Sequence, residues 1–138
     1  HLFHGHTYTG NPLAAAVANE NFNMYQKNNL IKKIQKTSKV FTDYYQRLLE
    51  IDIVGDIRHK GMLMGIELVS DKNKKTPIHT KKSINKIFFE EGKKQGIYFR
   101  TLGNIVMLVP PLAITEKELN LLLDRTIKTI EAVKTQII

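Results

Sequence analysis

No cysteine occurs in this sequence of 138 residues. The stretch can therefore hold neither a disulfide nor a thiolate metal site, which is compatible with a cytoplasmic protein. It has no apolar run long enough to span a bilayer and no signal-peptide pattern, so no membrane partner is expected. Internal repeats and low-complexity tracts are also missing. Acidic residues are scarce: 13 Asp plus Glu stand against 21 Lys plus Arg, a net charge of +8. Such a balance raises nucleic-acid binding as a reading. The lysines, however, are dispersed (Lys32-Lys33, Lys36, Lys39, Lys72, Lys74-Lys75, Lys81-Lys82, Lys93-Lys94). No aromatic residues interleave with them to build a stacking platform. The expectation is a solvated basic surface and no nucleic-acid partner. The remaining composition, 42% hydrophobic and 25% charged, is ordinary for a globular domain.

Helical and strand-like spacings alternate along the chain. Asn11 and Pro12 suit an N-cap and first helical position, which predicts a helix over 13–26 that breaks at Asn28-Asn29. Leu30, Ile34, Phe41, Tyr44, Tyr45 and Leu48 form the stripe of a following helical segment. Strand-like structure is expected from Ile51 through Ile57 and again over 62–69, with Gly61 bending the chain between them. The polar stretch 70–77 reads as a loop, and 80–95 as a helix with Ile84, Ile87 and Phe88 inward, ended by Gly96. Segments 97–100 and 105–109 read as paired strands around Gly103-Asn104. Thr115 and Glu118 have capping-box spacing, and Leu119, Leu122, Leu123, Ile127, Ile130, Val133 and Ile137 give the last helix its inward stripe. The expected fold class is α/β of the α+β kind: a small, mainly antiparallel sheet with helices on one face.

The densest chemical signal is His4-Gly5-His6-Thr7-Tyr8-Thr9-Gly10-Asn11-Pro12-Leu13-Ala14. Hydroxyl donors and glycines directly precede a helix start, whose free N–H groups and positive dipole end favour an anion. A phosphate suits this arrangement, although an ordinary capped helix after a turn would carry the same residues. His4 and His6 lack a nearby carboxylate or third histidine, so no metal site is expected. Arg100 precedes the Thr101-Leu102-Gly103-Asn104 turn, where a guanidinium fork could take a carboxylate bidentately. Lys60 has nothing around it to desolvate and activate its amine.

The run HGHTYTGNPLAAA closely resembles the signature of class III aminotransferases, which use pyridoxal 5'-phosphate. Asp56-Ile57-Arg58, Gly61-Met62-Leu63-Met64-Gly65-Ile66-Glu67 and the stretch from Tyr98 to Thr115 fit the same family from end to end. Within the family, Arg100-Thr101-Leu102-Gly103-Asn104 through Pro110-Pro111-Leu112 is most similar to members of biotin biosynthesis. Those members transfer an amino group from S-adenosylmethionine or lysine to 7-keto-8-aminopelargonate, giving 7,8-diaminononanoate.

The resemblance implies several roles. Thr7 would reach the cofactor phosphate of a neighbouring subunit, with His6 and Tyr8 adjoining it, so a homodimer is implied. Arg100 would bind the carboxylate of the keto acid, and Gly5 would let the backbone approach substrate. Residues 1–28 would be the end of a large domain and its connecting helix. Residues 29–138 would be the C-terminal small domain of a fold-type I enzyme. The family's Schiff-base lysine, and the carboxylate that keeps the cofactor's pyridine nitrogen protonated, lie upstream of this run. No catalytic residue is therefore expected here, and a C-terminal portion of this kind would not transaminate alone. A second class III activity, on ornithine, 4-aminobutyrate or a diamine, shares the first signature.

Overall fold

The computed structural model describes residues 3–137. The chain forms two compact units, His1–Lys33 and Ile34–Ile138.

In the first unit, α1 spans Pro12–Lys27. Asn11 Oδ1 accepts from the Ala14 N–H at 3.0 Å, and Pro12 occupies the first helical turn, as the sequence predicts. The helix closes at Asn28, and Asn29 takes a left-handed φ of +47° that redirects the chain.

The second unit is an antiparallel sheet with helices on one face. Its helices are the latter part of α2 (Leu30–Thr37), then α3 (Lys39–Asp43), α4 (Tyr45–Leu49), α5 (Ile84–Lys94) and α6 (Glu116–Ile137). The strands are β1 (Val54–Lys60), β2 (Leu63–Asp71), β3 (Thr76–Pro77), β4 (Arg100–Leu102) and β5 (Ile105–Leu108). The order is β1-β2-β5-β4, with β3 paired to the far end of β2. Strand alternation sorts the residues. Ile57, Met64, Ile66, Leu68, Val106 and Leu108 point into the core, beside Phe41, Phe88, Leu119, Leu123 and Ile130. His59 faces the same side, between Phe41 and Tyr45, and is hydrogen-bonded with the Tyr45 hydroxyl.

Several boundaries differ from those the spacing suggests. The single stripe from Leu30 to Leu48 is three short helices, because the ladder tightens at Ser38 and Tyr44. Phe41 N–H donates to Ser38 O at 3.1 Å and Tyr44 N–H to Phe41 O at 3.2 Å, both i to i−3 bonds. Residues 51–53 form a turn rather than strand, closed by Val54 N–H to Ile51 O at 2.9 Å. The polar stretch 70–77 contains the last residues of β2 and the short β3. Helix α5 starts only at Ile84, because Ser83 is still extended (φ −52°, ψ 130°) and the Thr80 hydroxyl donates to the Lys82 carbonyl.

Residues 97–99 are not strand. The end of α5 takes them back: Gly96 N–H donates to Lys93 O at 3.1 Å and Ile97 N–H to Gly92 O at 2.8 Å. This double closure needs a left-handed residue, supplied by Gly96 at φ +71°. Phe99 then enters the core edge-on to Phe88, with ring centroids 5.7 Å apart. At the start of α6 the capping box forms as expected. Glu118 Oε2 accepts from Thr115 N–H at 2.8 Å, and Thr115 Oγ1 accepts from Glu118 N–H at 3.2 Å.

Candidate functional site

Gly5, His6, Thr7 and Tyr8 lie together in and beside the turn that precedes α1, and all are exposed. Thr9 is spent on that turn: its N–H donates to His6 O at 3.0 Å, and its hydroxyl oxygen accepts from His6 N–H at 3.1 Å. The Thr7 hydroxyl makes no hydrogen bond among the described residues. At the helix start, Pro12 has no N–H, and Asn11 takes the N–H groups of Ala14 (through Oδ1) and Ala15 (through its carbonyl). Among the described residues this leaves the Leu13 N–H as the open donor of the first turn. The Thr7 hydroxyl and the Leu13 N–H are thus among the donors here that could bond an anion. That donor set fits a phosphate. Of the two threonines the sequence offers, the turn consumes one.

Arg100 belongs to the second unit and begins β4. The register places Arg58, Gly65, Met107 and Arg100 in one row across the uncovered face of the sheet, with Asp56, Glu67, Ile105 and Leu102 in the next. Two guanidinium-bearing residues therefore stand at opposite ends of one row, roughly 14 Å apart by strand spacing. Their electrostatic situations differ. Arg58 donates from Nε to Asp56 Oδ2 at 2.7 Å and lies 3.6 Å from Glu67 Oε2. The hydrogen bond from Arg58 holds the Asp56 carboxyl below its ordinary range, against the opposing effect of partial burial. Arg100 is exposed and has no ion pair among the described residues. A guanidinium without an internal carboxylate keeps its whole fork for a ligand.

Between the two arginines the face is apolar and shallow. Gly65 makes it so: a Cβ there would sit 3.3 Å from Ile105 Cγ2, so the missing side chain lets Ile105 lie close over β2. The pairing of Arg58 with Asp56 and Glu67 went unseen in the sequence. The alternation of Asp56 and Arg58 on one strand face carries its signal, since residues two apart point the same way.

Lys60 is exposed, which leaves its amine solvated, as expected from its neighbours in sequence. Among the described residues, no group of three or more His, Asp or Glu side chains is placed to hold a metal ion, and no helix is long and apolar enough to cross a membrane.

Residues 1–130 match the family described as aminotransferase class III. An adenosylmethionine-8-amino-7-oxononanoate aminotransferase of Methanocaldococcus jannaschii is 42% identical over 130 residues, which are 94% of this chain and 28% of that protein. The crystal structure of the enzyme of that name from the same organism superposes with a TM-score of 0.86 at 41% identity, covering 95% of this chain and 30% of that one. An omega transaminase from Pseudomonas jessenii, solved in complex with PMP, superposes with a TM-score of 0.87 at 26% identity, covering 99% of this chain and 30% of its own. The chain thus spans under a third of the length of these proteins. From its first residues to the last helix, this chain belongs to the class III aminotransferase family.

Proposed function

We propose that the polypeptide carrying this stretch is a pyridoxal-phosphate-dependent aminotransferase of biotin biosynthesis. Its reaction is amination of 7-keto-8-aminopelargonate to 7,8-diaminononanoate, with S-adenosylmethionine or lysine as amino donor. The observation that carries the substrate is Arg100, an exposed guanidinium with no acidic partner among the described residues, on a face where Arg58 is already paired. The relatives named for this activity support the same reading.

Pyridoxal phosphate supplies, when bound, the electron sink and amino-group carrier that side chains lack. This stretch contributes binding and orientation. Thr7 donates its hydroxyl to the phosphate of the neighbouring subunit's cofactor, beside the backbone of His6 and Tyr8, so the working form is a homodimer. Gly5 gives the backbone close access to substrate. Arg100 clamps the keto acid's carboxylate and sets the distance from that carboxylate to the reacting ketone. Residues 1–28 join a large domain and residues 29–138 form the small one. The proposed compartment is the cytoplasm.

The test is Arg100→Ala in the full-length parent. Loss of charged hydrogen bonds should raise KM for the keto acid by about 10- to 100-fold. KM for the amino donor should stay within about twofold, because the clamp touches only the acid. Equal effects on both substrates would remove Arg100 from acid selection.

A further inference from the structure

The strand that presents Arg100 is short and lies at the edge of the sheet: β4 is three residues, Arg100–Leu102, held by β5 on one side only. The two-residue turn Gly103-Asn104, with Gly103 at φ +57°, makes Leu102 and Ile105 the hydrogen-bonded pair that closes the hairpin. Alternation then makes Thr101 and Val106 a non-hydrogen-bonded pair, so the Thr101 N–H points away from β5, off the edge of the sheet. An edge N–H of this kind has no ladder partner.

Asn85 provides one. Its Oδ1 accepts from both the Thr101 N–H and the Thr101 hydroxyl, each at 3.4 Å. Asn85 can act as a fixed post because its helix is anchored: Ile84, Ile87 and Phe88 around it are buried in the core. Thr101 shares a face with Val106, on the helix-covered side, while Arg100 and Leu102 project to the other. Asn85 therefore reaches Arg100 only through the backbone of the adjoining residue.

We infer that Asn85 is a positioning residue for Arg100, fixing the free edge of β4 so that the guanidinium meets the substrate carboxylate in one orientation. The inference rests on the proposed role of Arg100. A fork that must engage a carboxylate with two parallel N–H groups loses affinity when its strand can rock. A hydrogen bond made by the neighbouring residue is thus read out as substrate affinity.

The experiment uses the full-length parent, with KM for 7-keto-8-aminopelargonate and for the amino donor, kcat, and the calorimetric Kd for the keto acid without donor. Asn85→Ala should raise KM and Kd for the keto acid by about three- to tenfold, the effect of one net hydrogen bond. The donor KM and kcat should hold, whereas a general loss of folding would lower kcat without singling out one substrate. Asn85→Asp keeps an oxygen acceptor and should restore the keto-acid values to within about twofold of wild type. If Arg100→Ala raises the keto-acid KM and Asn85→Ala does not, or if Asn85→Asp behaves like Asn85→Ala, the positioning role is overturned and the clamp stands. If Arg100→Ala itself leaves the keto-acid KM unchanged, both fall together.

Discussion

Replacing Gly92 with alanine sets two effects of opposite sign against each other. Gly92 lies inside α5, where alanine alone would favour the helix by about 1 kcal/mol. The space is already taken. A Cβ at this position would stand 2.5 Å from Phe99 Cδ2 and 2.8 Å from the Ile97 carbonyl oxygen. Neither neighbour yields easily, since Phe99 is 2% exposed and packs against the fully buried Phe88. Ile97 is tied by its own N–H to Gly92 O at 2.8 Å, so moving the carbonyl strains the closure of the helix. Overpacking of this kind costs about 1–3 kcal/mol, and the strained hydrogen bond about 1 more. The net expectation is destabilisation by about 2 kcal/mol, a fall in Tm of about 10 °C for a unit of this size. Urea denaturation followed by far-UV circular dichroism measures it, with Gly103→Ala as the companion. A Cβ on Gly103 meets nothing within 4 Å, and that variant suffers only from its φ of +57°. Its cost should be about 1 kcal/mol. A Gly92→Ala chain as stable as wild type would refute the close approach of α5 to the segment before β4.

Three further perturbations test separate parts of the structure. Thr7→Val should weaken retention of pyridoxal phosphate in the full-length parent by about tenfold or more, as for loss of a hydrogen bond to a charged group; bound cofactor after dialysis measures this, and unchanged retention would remove Thr7 from the site. Thr115→Ala should cost about 1 kcal/mol by deleting the capping hydroxyl of α6; a midpoint unchanged in urea would show that the Thr115–Glu118 pair contributes nothing. Glu91 is buried and accepts from Lys94 Nζ and Gln136 Nε2, each at 2.6 Å, and these bonds, Lys94 first, hold its carboxyl below the ordinary 4.5 despite burial. A depressed folded value means the stabilisation is complete above the unfolded value and is lost as pH falls through the folded one. Glu91→Gln should therefore flatten the acid side of the stability profile, below about pH 4.5; an unchanged slope there would contradict the linkage.

Much of this structure is written locally. Asn11-Pro12 starts α1 and Thr115 with Glu118 starts α6, because a cap depends on residues within one turn. The inward stripe of α6 is equally legible, with Leu119, Leu123, Ile130 and Val133 buried. What escaped depends on partners distant in sequence. Nothing near Asn85 announces that it will meet Thr101, and nothing near Arg58 announces Glu67. The late start of α5 and the non-strand path of 97–99 have a different, local cause: the Thr80 bond to the Lys82 carbonyl and the Ile97 bond to the Gly92 carbonyl compete with the periodicity that the spacing of apolar residues suggests. At the candidate site, Thr7 and Arg100 were visible as residue types in suggestive places. The family resemblance singles them out, whereas residue type alone does not separate them from Thr9 and Arg58. The physical difference lies in long-range and turn contacts: the turn consumes the Thr9 hydroxyl, and the sheet pairs the Arg58 guanidinium.

The most direct measurement is the half-reaction run backwards in the full-length parent, purified with pyridoxal phosphate and mixed with 7,8-diaminononanoate. Mass spectrometry then counts the 7-keto-8-aminopelargonate released per active site. About one equivalent per site is the expected result, reduced in Arg100→Ala at the same limiting diamine concentration. No keto acid from the diamine, with turnover of ornithine or 4-aminobutyrate instead, would contradict the biotin assignment and leave only the family.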